Sequence, residues 1–362
     1  IANRGNEIAG KKLLHPNDHI NMSQSSNDTF PTALHIAAAM SIEDNLFPAM
    51  DKLTETLKRL ESENEDVVKS GRTHLQDAVP IRFSQEISGW RNMLEKTKKM
   101  LEASLPGLKE LALGGTAVGT GLNAPKNFGP EVAKVISELT GKEFVTAENK
   151  FHALTAKDDI TFAHGALKAL AADLMKIAND VRWLASGPRC GLGEISIPEN
   201  EPGSSIMPGK VNPVIPEVVS QVAFHIVGHD TTITMAAEAG QLELNAFEPV
   251  VFCNLFESIT TLEKAVDTLS VNCITGITAN RKRCKDLMES SAGIATALCP
   301  HIGYKASATI AKTAVKTGKS VRELVLEQEI MTEKELEEVL DPYLMTEVGE
   351  ERKEDEARRK AC

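Results

Sequence analysis

The stretch that decides the fold is EVVSQVAFHIVGHDTTITMAAEA, which runs from Glu217 to Ala239. It is apolar over most of a helical circumference, and a second stretch of the same kind runs from Gln241 to Val271. Helices that are apolar on most sides are buried, either within a bundle or at a subunit interface. These two stretches therefore predict long helices at the centre of an oligomeric bundle.

Helical patterns also occupy most of the remaining sequence. They predict helices over four further stretches, which are Pro31 to about Glu63 with a kink at Pro48, Phe83–Leu113, Pro130–Thr140 and Ala156–Ser186. A turn is expected at Ser70–Arg72, and two capping boxes, at 320–323 and 332–335, each open a shorter helix. The sequence therefore predicts an all-α fold with a core of long helices and a small C-terminal helical domain.

The predicted domains follow from the same pattern. Residues 1–27 form the end of an N-terminal domain, 28–271 the central helical bundle, and 272–348 the small C-terminal domain. Residues 349–362 are nearly all charged, and this composition predicts a disordered tail.

Composition narrows the functional classes. The chain has 362 residues, of which 42% are apolar, so it is long and apolar enough for a large core. Its net charge of −11 would repel phosphate backbones and anionic membranes, so neither nucleic acid nor a membrane is expected as a partner. Six cysteines without a CxxC pair favour a reduced, cytoplasmic location.

Four polar loops interrupt the helical patterns and hold the candidate functional residues. They span 23–27, 73–76, 114–123 (the glycine loop) and 203–213 (the serine loop). Polar residues at helix ends commonly act as caps, and this interpretation is favoured for Asp28 and Thr29. It stays open for Ser25 and Ser26. The glycine loop lacks the context of a nucleotide-binding fingerprint, so nucleotide binding is rejected.

The serine loop, GSSIMPGKVNP, is either a flexible connection or an anion site. Its backbone amides and hydroxyls, with Lys210 and Asn212, can hold carboxylates, and Ser204 in such positive surroundings can act as a base. His74 is either a structural histidine or one oriented by a carboxylate. Glu217 either complements a helix dipole or pairs with such a histidine.

The histidine pattern does not predict a metal site. His15 and His19 have helical spacing, but Pro16 lies between them and no third ligand is near, so zinc is rejected there. The remaining histidines lie in helical runs or at their ends and are assigned structural roles, namely His35, His152, His164, His225, His229 and His301.

Taken together, the loops closely resemble those of the fumarase/aspartase superfamily. The serine loop matches its signature, and HPNDHINMSQSSNDTFPT, GRTHLQDAVP and GGTAVGTGLN match further blocks in the expected order. The resemblance implies a homotetramer with a central bundle of long helices and active sites that each take loops from three subunits. It also implies a small dicarboxylate substrate and no metal or organic cofactor.

The resemblance assigns a role to each matched loop residue. Ser204 is the base that takes a proton from the substrate, through an aci-carboxylate intermediate. His74 and Glu217 form the pair on the leaving-group side. The implied substrate contacts are Ser25, Ser26, Asn27, Thr73, Ser205, Lys210 and Asn212. His15, Asn17 and Asp18 match a second carboxylate site, although Lys12 stands where the family has arginine.

Two features bear on the choice within the family. The stretch from Val214 to Val251 and THLQDAVP look like aspartate ammonia-lyase, which is the preferred prediction, whereas HPNDH, AENKFHAL and GLGEISIPENEPGSS look like class II fumarase, the alternative. Relatives also carry a segment ahead of IANR at residues 1–4. We therefore expect an N-terminally truncated chain with weak or no activity, and a purely structural subunit is a further alternative.

Overall fold

The computed structural model describes residues 1–347, and over this range the chain is mostly helical, as predicted. The helices of the first half are α1 (Ala2–Ala9), α2 (Ser26–Ser41), α3 (Phe47–Ser62), α4 (Phe83–Leu108), α5 (Phe128–Thr140), α6 (Lys150–Thr155) and α7 (Asp158–Leu184). Those of the second half are α8 (Val214–Glu238), α9 (Glu248–Asn272), α10 (Arg281–Ser290), α11 (Cys299–Ile302), α12 (Tyr304–Thr317), α13 (Val321–Glu327) and α14 (Glu333–Val339).

Within the described residues, six short strands pair two by two. They are β1 (Val68–Thr73) antiparallel to β2 (Gln76–Arg82), β3 (Glu110–Leu111) parallel to β4 (Val145–Thr146), and β5 (Ile195–Ser196) antiparallel to β6 (Thr278–Ala279). Within residues 1–347, no helix is both long and apolar enough to cross a bilayer. The predicted tail at 349–362 lies outside the described residues.

The described chain divides into two compact units. The first contains residues 1–53, 93–178 and 217–269, and the second contains 54–92, 179–216 and 270–347. In the first unit, α7 buries a stripe of alanine and leucine that includes Ala163, Leu167, Leu170, Ala171 and Leu174. This spacing places the five side chains on one helix face, so small and branched residues supply close packing in a chain with few aromatics.

The second unit has a core with its own aromatic anchor and a separate C-terminal cluster. The Trp90 ring packs edge-on against Phe83, and its Nε1 donates a hydrogen bond to Asp180 at 2.8 Å. Buried apolar side chains between Met288 and Leu340 form the cluster. The predicted domain boundary near residue 271 stays a prediction, although this cluster is consistent with a C-terminal domain that has its own core.

The hairpin formed by β1 and β2 corrects the predicted turn at Ser70–Arg72. That tripeptide lies inside β1, where the register shifts between Ser70 and Arg72. A Cβ on Gly71 would lie 2.6 Å from the Val79 carbonyl oxygen, so the glycine serves a bulge rather than a turn. The true turn is His74–Leu75, which we call the hairpin tip.

The long helical stretch that contains Pro48 also differs from its prediction in detail. Helix α2 begins at Ser26 rather than at Pro31, with Ser25 as its N-cap. A π-helical turn at Ile42–Leu46 then precedes α3, whose second residue is Pro48. The π-helical turn lies just before Pro48, which lacks a backbone N–H donor. The kink predicted at Pro48 therefore takes the form of a π-helical turn.

A buried asparagine separates α8 from α9, which the sequence placed almost end to end. Asn245 Nδ2 donates to the carbonyls of Ala236 and Ala237 near the end of α8, at 2.9 and 3.2 Å. Its Oδ1 accepts from Phe247 N just before α9 begins. Helix α9 therefore begins at Glu248 rather than at Gln241, because the connecting segment is folded around this side chain.

His35 on α2 is a partly buried histidine whose protonation is expected to affect folding. Burial, together with repulsion from Lys157, lowers the pKa of His35 to about 4. Backbone carbonyls near the end of α4 and just beyond it oppose this shift, because they stabilise the protonated ring. His35 is therefore neutral in the folded protein at neutral and mildly acidic pH.

Replacing His35 with glutamine is expected to flatten the acid side of the stability profile. The unfolded chain protonates His35 near pH 6.5, whereas the native chain does so only near pH 4. Between these values the unfolded state binds more protons, so the free energy of unfolding falls as the pH falls, by up to about 3 kcal/mol. Urea unfolding at fixed protein concentration from pH 7 to 4 measures this loss.

The matched control for this experiment is His301→Gln, at an exposed histidine on α11. The wild type and the control are expected to lose the same free energy over this pH range, and His35→Gln is expected to lose less. Equal pH dependence in all three proteins would contradict the assignment.

Candidate functional site

The serine loop has a defined backbone path, although it has no regular secondary structure. Asn212 Nδ2 donates a hydrogen bond of 2.8 Å to the Gly203 carbonyl, which ties the two ends of the loop together. A Cβ on Gly203 would lie only 2.0 Å from the Lys210 carbonyl oxygen. Glycine is therefore required at position 203 for the loop to close on itself.

Ser204 lies inside this closed loop and is half-buried. Its Oγ accepts hydrogen bonds from the backbone N–H groups of Ile206 and Met207, at 3.3 and 3.2 Å. Donors that point at an oxygen stabilise its charged form more than its neutral form. The loop thus favours a negative charge on Ser204, which is what a hydroxyl that acts as a base requires.

A cleft of about 410 Å³ in the second unit brings two predicted anchors together. Lys210 and Asn212 line one part of it, and Arg182 at the end of α7 lines another. Ser204 and Ser205 are not among its lining residues. Two cationic side chains and an amide on one cleft suit a small anion. Arg182 was not among the site residues predicted from the sequence.

Thr73 and His74 lie at the exposed end of the β1–β2 hairpin. Thr73 pairs with Gln76, which leaves His74 and Leu75 as a two-residue turn with φ values of 54° and 60°. Such left-handed turns normally use glycine or asparagine, so two larger residues here store about 1–3 kcal/mol of strain each. Strain of this kind concentrates at functional sites. The tight turn places Thr73 and His74 at the end of the hairpin.

A buried ion cluster supports this hairpin, and it consists of Lys69, Arg72, Glu86 and Glu194. Both Glu194 oxygens accept from Arg72, at 2.9 and 3.0 Å, although Glu194 is fully buried. Lys69 Nζ lies 3.3 Å from Glu194 and 3.1 Å from Glu86. Two positive and two negative groups therefore balance, and they join the hairpin to the segment that leads into the serine loop.

The start of α2 holds Ser25, Ser26 and Asn27, and a buried carboxylate fixes it to the glycine loop. Asp28 Oδ1 accepts from Ser25 N, which completes a capping box, and Ser25 Oγ accepts from Asn27 N. Asp28 Oδ2 accepts from the N–H groups of Gly114 and Thr116, at 3.1 and 2.8 Å.

The capping interpretation is thus confirmed for Asp28, and the structure also resolves the open case of Ser25, which caps the helix. Asn27 Nδ2 donates to the Ala117 carbonyl at 2.9 Å, so it too is engaged with the glycine loop. Ser26 is exposed. Of the three residues matched to substrate contacts, Ser26 is the one that the glycine loop and the helix cap leave open to solvent.

The remaining matched residues lie in the first unit. His15, Asn17 and Asp18 share an exposed turn, where His15 Nδ1 lies 3.1 Å from Asp18 Oδ2. Glu217 is half-buried in the first turn of α8. His74 belongs to the second unit, so its pairing with Glu217 stays a prediction.

Removal of the Glu194 charge is expected to be strongly destabilising. Glu194→Gln leaves Lys69 and Arg72 buried with one carboxylate fewer, at a cost of about 3–5 kcal/mol. Urea unfolding measures the change, and Glu199→Gln, at an exposed glutamate on the same segment, is the matched control. A loss for Glu194→Gln no larger than that of the control would show that the cluster does not support the hairpin.

Comparisons with known proteins agree with this arrangement. Residues 1–228 match a protein family described as "Lyase", and residues 294–347 match one described as "Fumarase C C-terminus". The chain is 54% identical to the class II fumarate hydratase of Bacillus anthracis over 349 residues, which is 95% of this chain and 76% of the relative. Identity to the Helicobacter pylori enzyme of the same name is 51% over 350 residues, with the same coverage.

Solved structures give the same result. Class II fumarase from Schistosoma mansoni superposes with a TM-score of 0.91 at 38% identity, over 94% of this chain and 75% of that one. A fumarate lyase:delta crystallin from Brucella melitensis, in a crystal structure bound to cobalt, also gives 0.91, at 43% identity and over 96% and 76% of the two chains.

The sequence left two members of the family open, aspartate ammonia-lyase and class II fumarase, and these relatives bear on that choice. They do not support aspartate ammonia-lyase as the closest member, and their names favour the alternative, class II fumarase. The superfamily itself, predicted from the loop motifs, is confirmed by matches over nearly the whole described chain. The chain belongs to the fumarase/aspartase superfamily of lyases.

Proposed function

We propose that this protein is a fumarate hydratase, which interconverts L-malate with fumarate and water. Identity of 50% or more to proteins named class II fumarate hydratase supports the choice of reaction. The structural observation that carries the proposal is the closed serine loop, with two amide donors on Ser204 Oγ and with Lys210 and Asn212 on an adjacent cleft.

In the proposed mechanism, Ser204 removes a proton from the CH₂ carbon of malate, which lies beside one of the two carboxylates. The electron pair of the broken C–H bond moves into that carboxylate and gives a dianionic aci-carboxylate. The carbon–oxygen bond to the neighbouring hydroxyl then breaks, and the oxygen leaves as water after it takes a proton. Each step balances with protein side chains and water alone.

Stabilisation of the dianion is the main catalytic task in this mechanism. The cleft supplies two positive charges, on Lys210 and Arg182, and the side-chain amide of Asn212. Their interactions with the substrate carboxylate become stronger as negative charge develops on it. We place the substrate against these groups and against the contacts implied by the family motifs, which are Ser25, Ser26, Asn27, Thr73, His74 and Ser205.

His74 and Glu217 are proposed to handle the leaving group. A carboxylate that accepts from one ring nitrogen fixes the tautomer of an imidazole and raises its basicity. His74 then delivers the proton that turns the departing hydroxyl into water. His15, Asn17 and Asp18 are proposed as a second carboxylate site, and their clustering on one turn supports this.

We further propose that the working protein is a homotetramer whose active sites combine loops from three subunits. Large apolar side chains remain exposed along α8 and α9, including Phe224 and Met235, each 61% exposed, and Phe252 at 45%. Apolar faces of this extent on long helices favour burial against further copies of the chain.

Aspartate ammonia-lyase is the second candidate, and one specific observation favours it. The sequence from Val214 to Val251, which forms α8 and the start of α9, looks like that of aspartate ammonia-lyase. Both reactions share the Ser204 proton abstraction and differ in the group that leaves. Only an assay of the leaving group separates them.

The first test is fumarate consumption by the purified protein with and without ammonium. Consumption without ammonium is expected, and Ser204→Ala is expected to reduce it by about 10²–10⁴-fold while the oligomeric state is retained. Ser290→Ala, at an exposed serine on α10, is the control. Consumption that requires ammonium would replace the proposal with aspartate ammonia-lyase, and no consumption under either condition would contradict both reactions and favour the purely structural subunit.

The second test concerns the carboxylate anchor. Lys210→Gln removes an ammonium group from the cleft, and kcat/KM for malate is expected to fall by about 10–100-fold, with a loss in kcat as well as a rise in KM. Lys282→Gln, at a highly exposed lysine, is the control. Unchanged kcat/KM for Lys210→Gln would remove Lys210 from the site.

A further inference from the structure

We propose that His225, His229 and Glu257 form a binding site for one divalent transition-metal ion, with Zn²⁺ or Co²⁺ as the best chemical match. Among the described residues, these three side chains form the one group of this kind whose possible ligand atoms all lie within 4.8 Å of one another. Both histidines were assigned structural roles from the sequence because they lie in a helical run, and the approach of Glu257 depends on the fold.

The backbone supplies the geometry of this site. His225 and His229 are four residues apart on α8, so they lie on one helix face, and their rings meet edge-on with centroids 5.7 Å apart. Glu257 lies on α9 and places Oε2 3.9 Å from His229 Nε2. Tetrahedral zinc ligands are separated by about 3.3 Å, so the ligand atoms, which lie within 4.8 Å of one another, need to approach by at most about 1.5 Å.

Ser258, the neighbour of Glu257 on α9, orients His229. Ser258 Oγ lies 3.0 Å from His229 Nδ1 and 2.8 Å from His164 Nε2, and also 2.7 Å from the Asn254 carbonyl. The hydroxyl has one proton to donate. The Asn254 carbonyl can only accept a hydrogen bond, and a ring nitrogen can accept one only if it carries no proton. The protonation of His164 therefore decides where the Ser258 proton goes.

His164 is held by a carboxylate on its other side. Its Nδ1 lies 3.0 Å from Asp230 Oδ1, and Asp230 also pairs with Lys168. The carboxylate can only accept, so His164 carries a proton on Nδ1, toward Asp230.

The tautomer of His229 follows from this chain of contacts. The Ser258 proton serves either His164 Nε2 or the Asn254 carbonyl, so His229 Nδ1 is the donor to Ser258 Oγ in both cases. His229 Nε2 therefore carries a lone pair, and this is the nitrogen that faces Glu257. Metal-binding histidines are oriented in the same way, by a hydrogen bond from the ring nitrogen that does not bind the metal.

The donor set indicates the class of ion. Two imidazole nitrogens and one carboxylate oxygen suit Zn²⁺, Co²⁺ or Ni²⁺ and are unlike the all-oxygen sites of Ca²⁺ and Mg²⁺. Three protein ligands leave a coordination position for water. Once bound, the ion links α8 to α9, because the two histidines lie on α8 and Glu257 lies on α9.

The test uses the assembled, untagged protein after removal of metal with a chelator. Titration with Co²⁺, followed by its visible absorption, is expected to show one site per chain, and Zn²⁺ is expected to displace Co²⁺ and to raise the melting temperature. Glu257→Gln changes an exposed side chain and is expected to retain the fold but lose most of the affinity. Ser258→Ala is expected to weaken binding by about 10–100-fold.

His225→Gln and His229→Gln complete the series, and His301→Gln is the matched control. Affinity that falls in the three ligand variants and not in the control supports the site. No Co²⁺ binding by the wild type would overturn the proposal. Binding that survives all three ligand substitutions unchanged would overturn it as well.

Discussion

The buried ion cluster is the constraint on which the second unit depends. Glu194 is fully buried and accepts from Arg72 through both oxygens, with Lys69 beside it and Glu86 completing the balance. An unpaired charge in such a place costs several kcal/mol, so the hairpin and the segment that leads into the serine loop cannot separate without a large loss. The positions of the hairpin tip and of the serine loop both rest on this balance.

Asp28 has the corresponding role in the first unit, with different partners. Its carboxylate accepts from backbone N–H groups at the start of α2 and in the glycine loop, and Lys150 adds a favourable charge interaction. In both units, then, a buried carboxylate connects chain segments about 90 to 120 residues apart, and the candidate substrate contacts are short exposed segments attached to it. This arrangement lets the loops remain polar and irregular while the residues at which they join the rest of the fold stay fixed.

The sequence predicted those features that depend on local chemistry. The capping boxes at 320–323 and 332–335 appear as predicted, because a cap needs only residues three apart. The hairpin tip was missed, because His74 and Leu75 are not turn residues and Gly71, which is, serves a bulge. Arg182 and Glu194 were missed for a different reason, since their partners are brought near by the fold alone. The loop motifs identified the superfamily, whereas the stretch from Val214 to Val251 favoured a member that the relatives do not support.

The central claim is that Ser204 is the base and that Lys210 and Asn212 hold a substrate carboxylate beside it. A crystal structure of the assembled protein with bound L-malate tests this most directly. The account predicts a malate carboxylate within about 3.2 Å of Lys210 Nζ and Asn212 Nδ2, and Ser204 Oγ within about 3.5 Å of the carbon that loses its proton. Malate bound away from the serine loop, with Ser204 out of reach of that carbon, would contradict it.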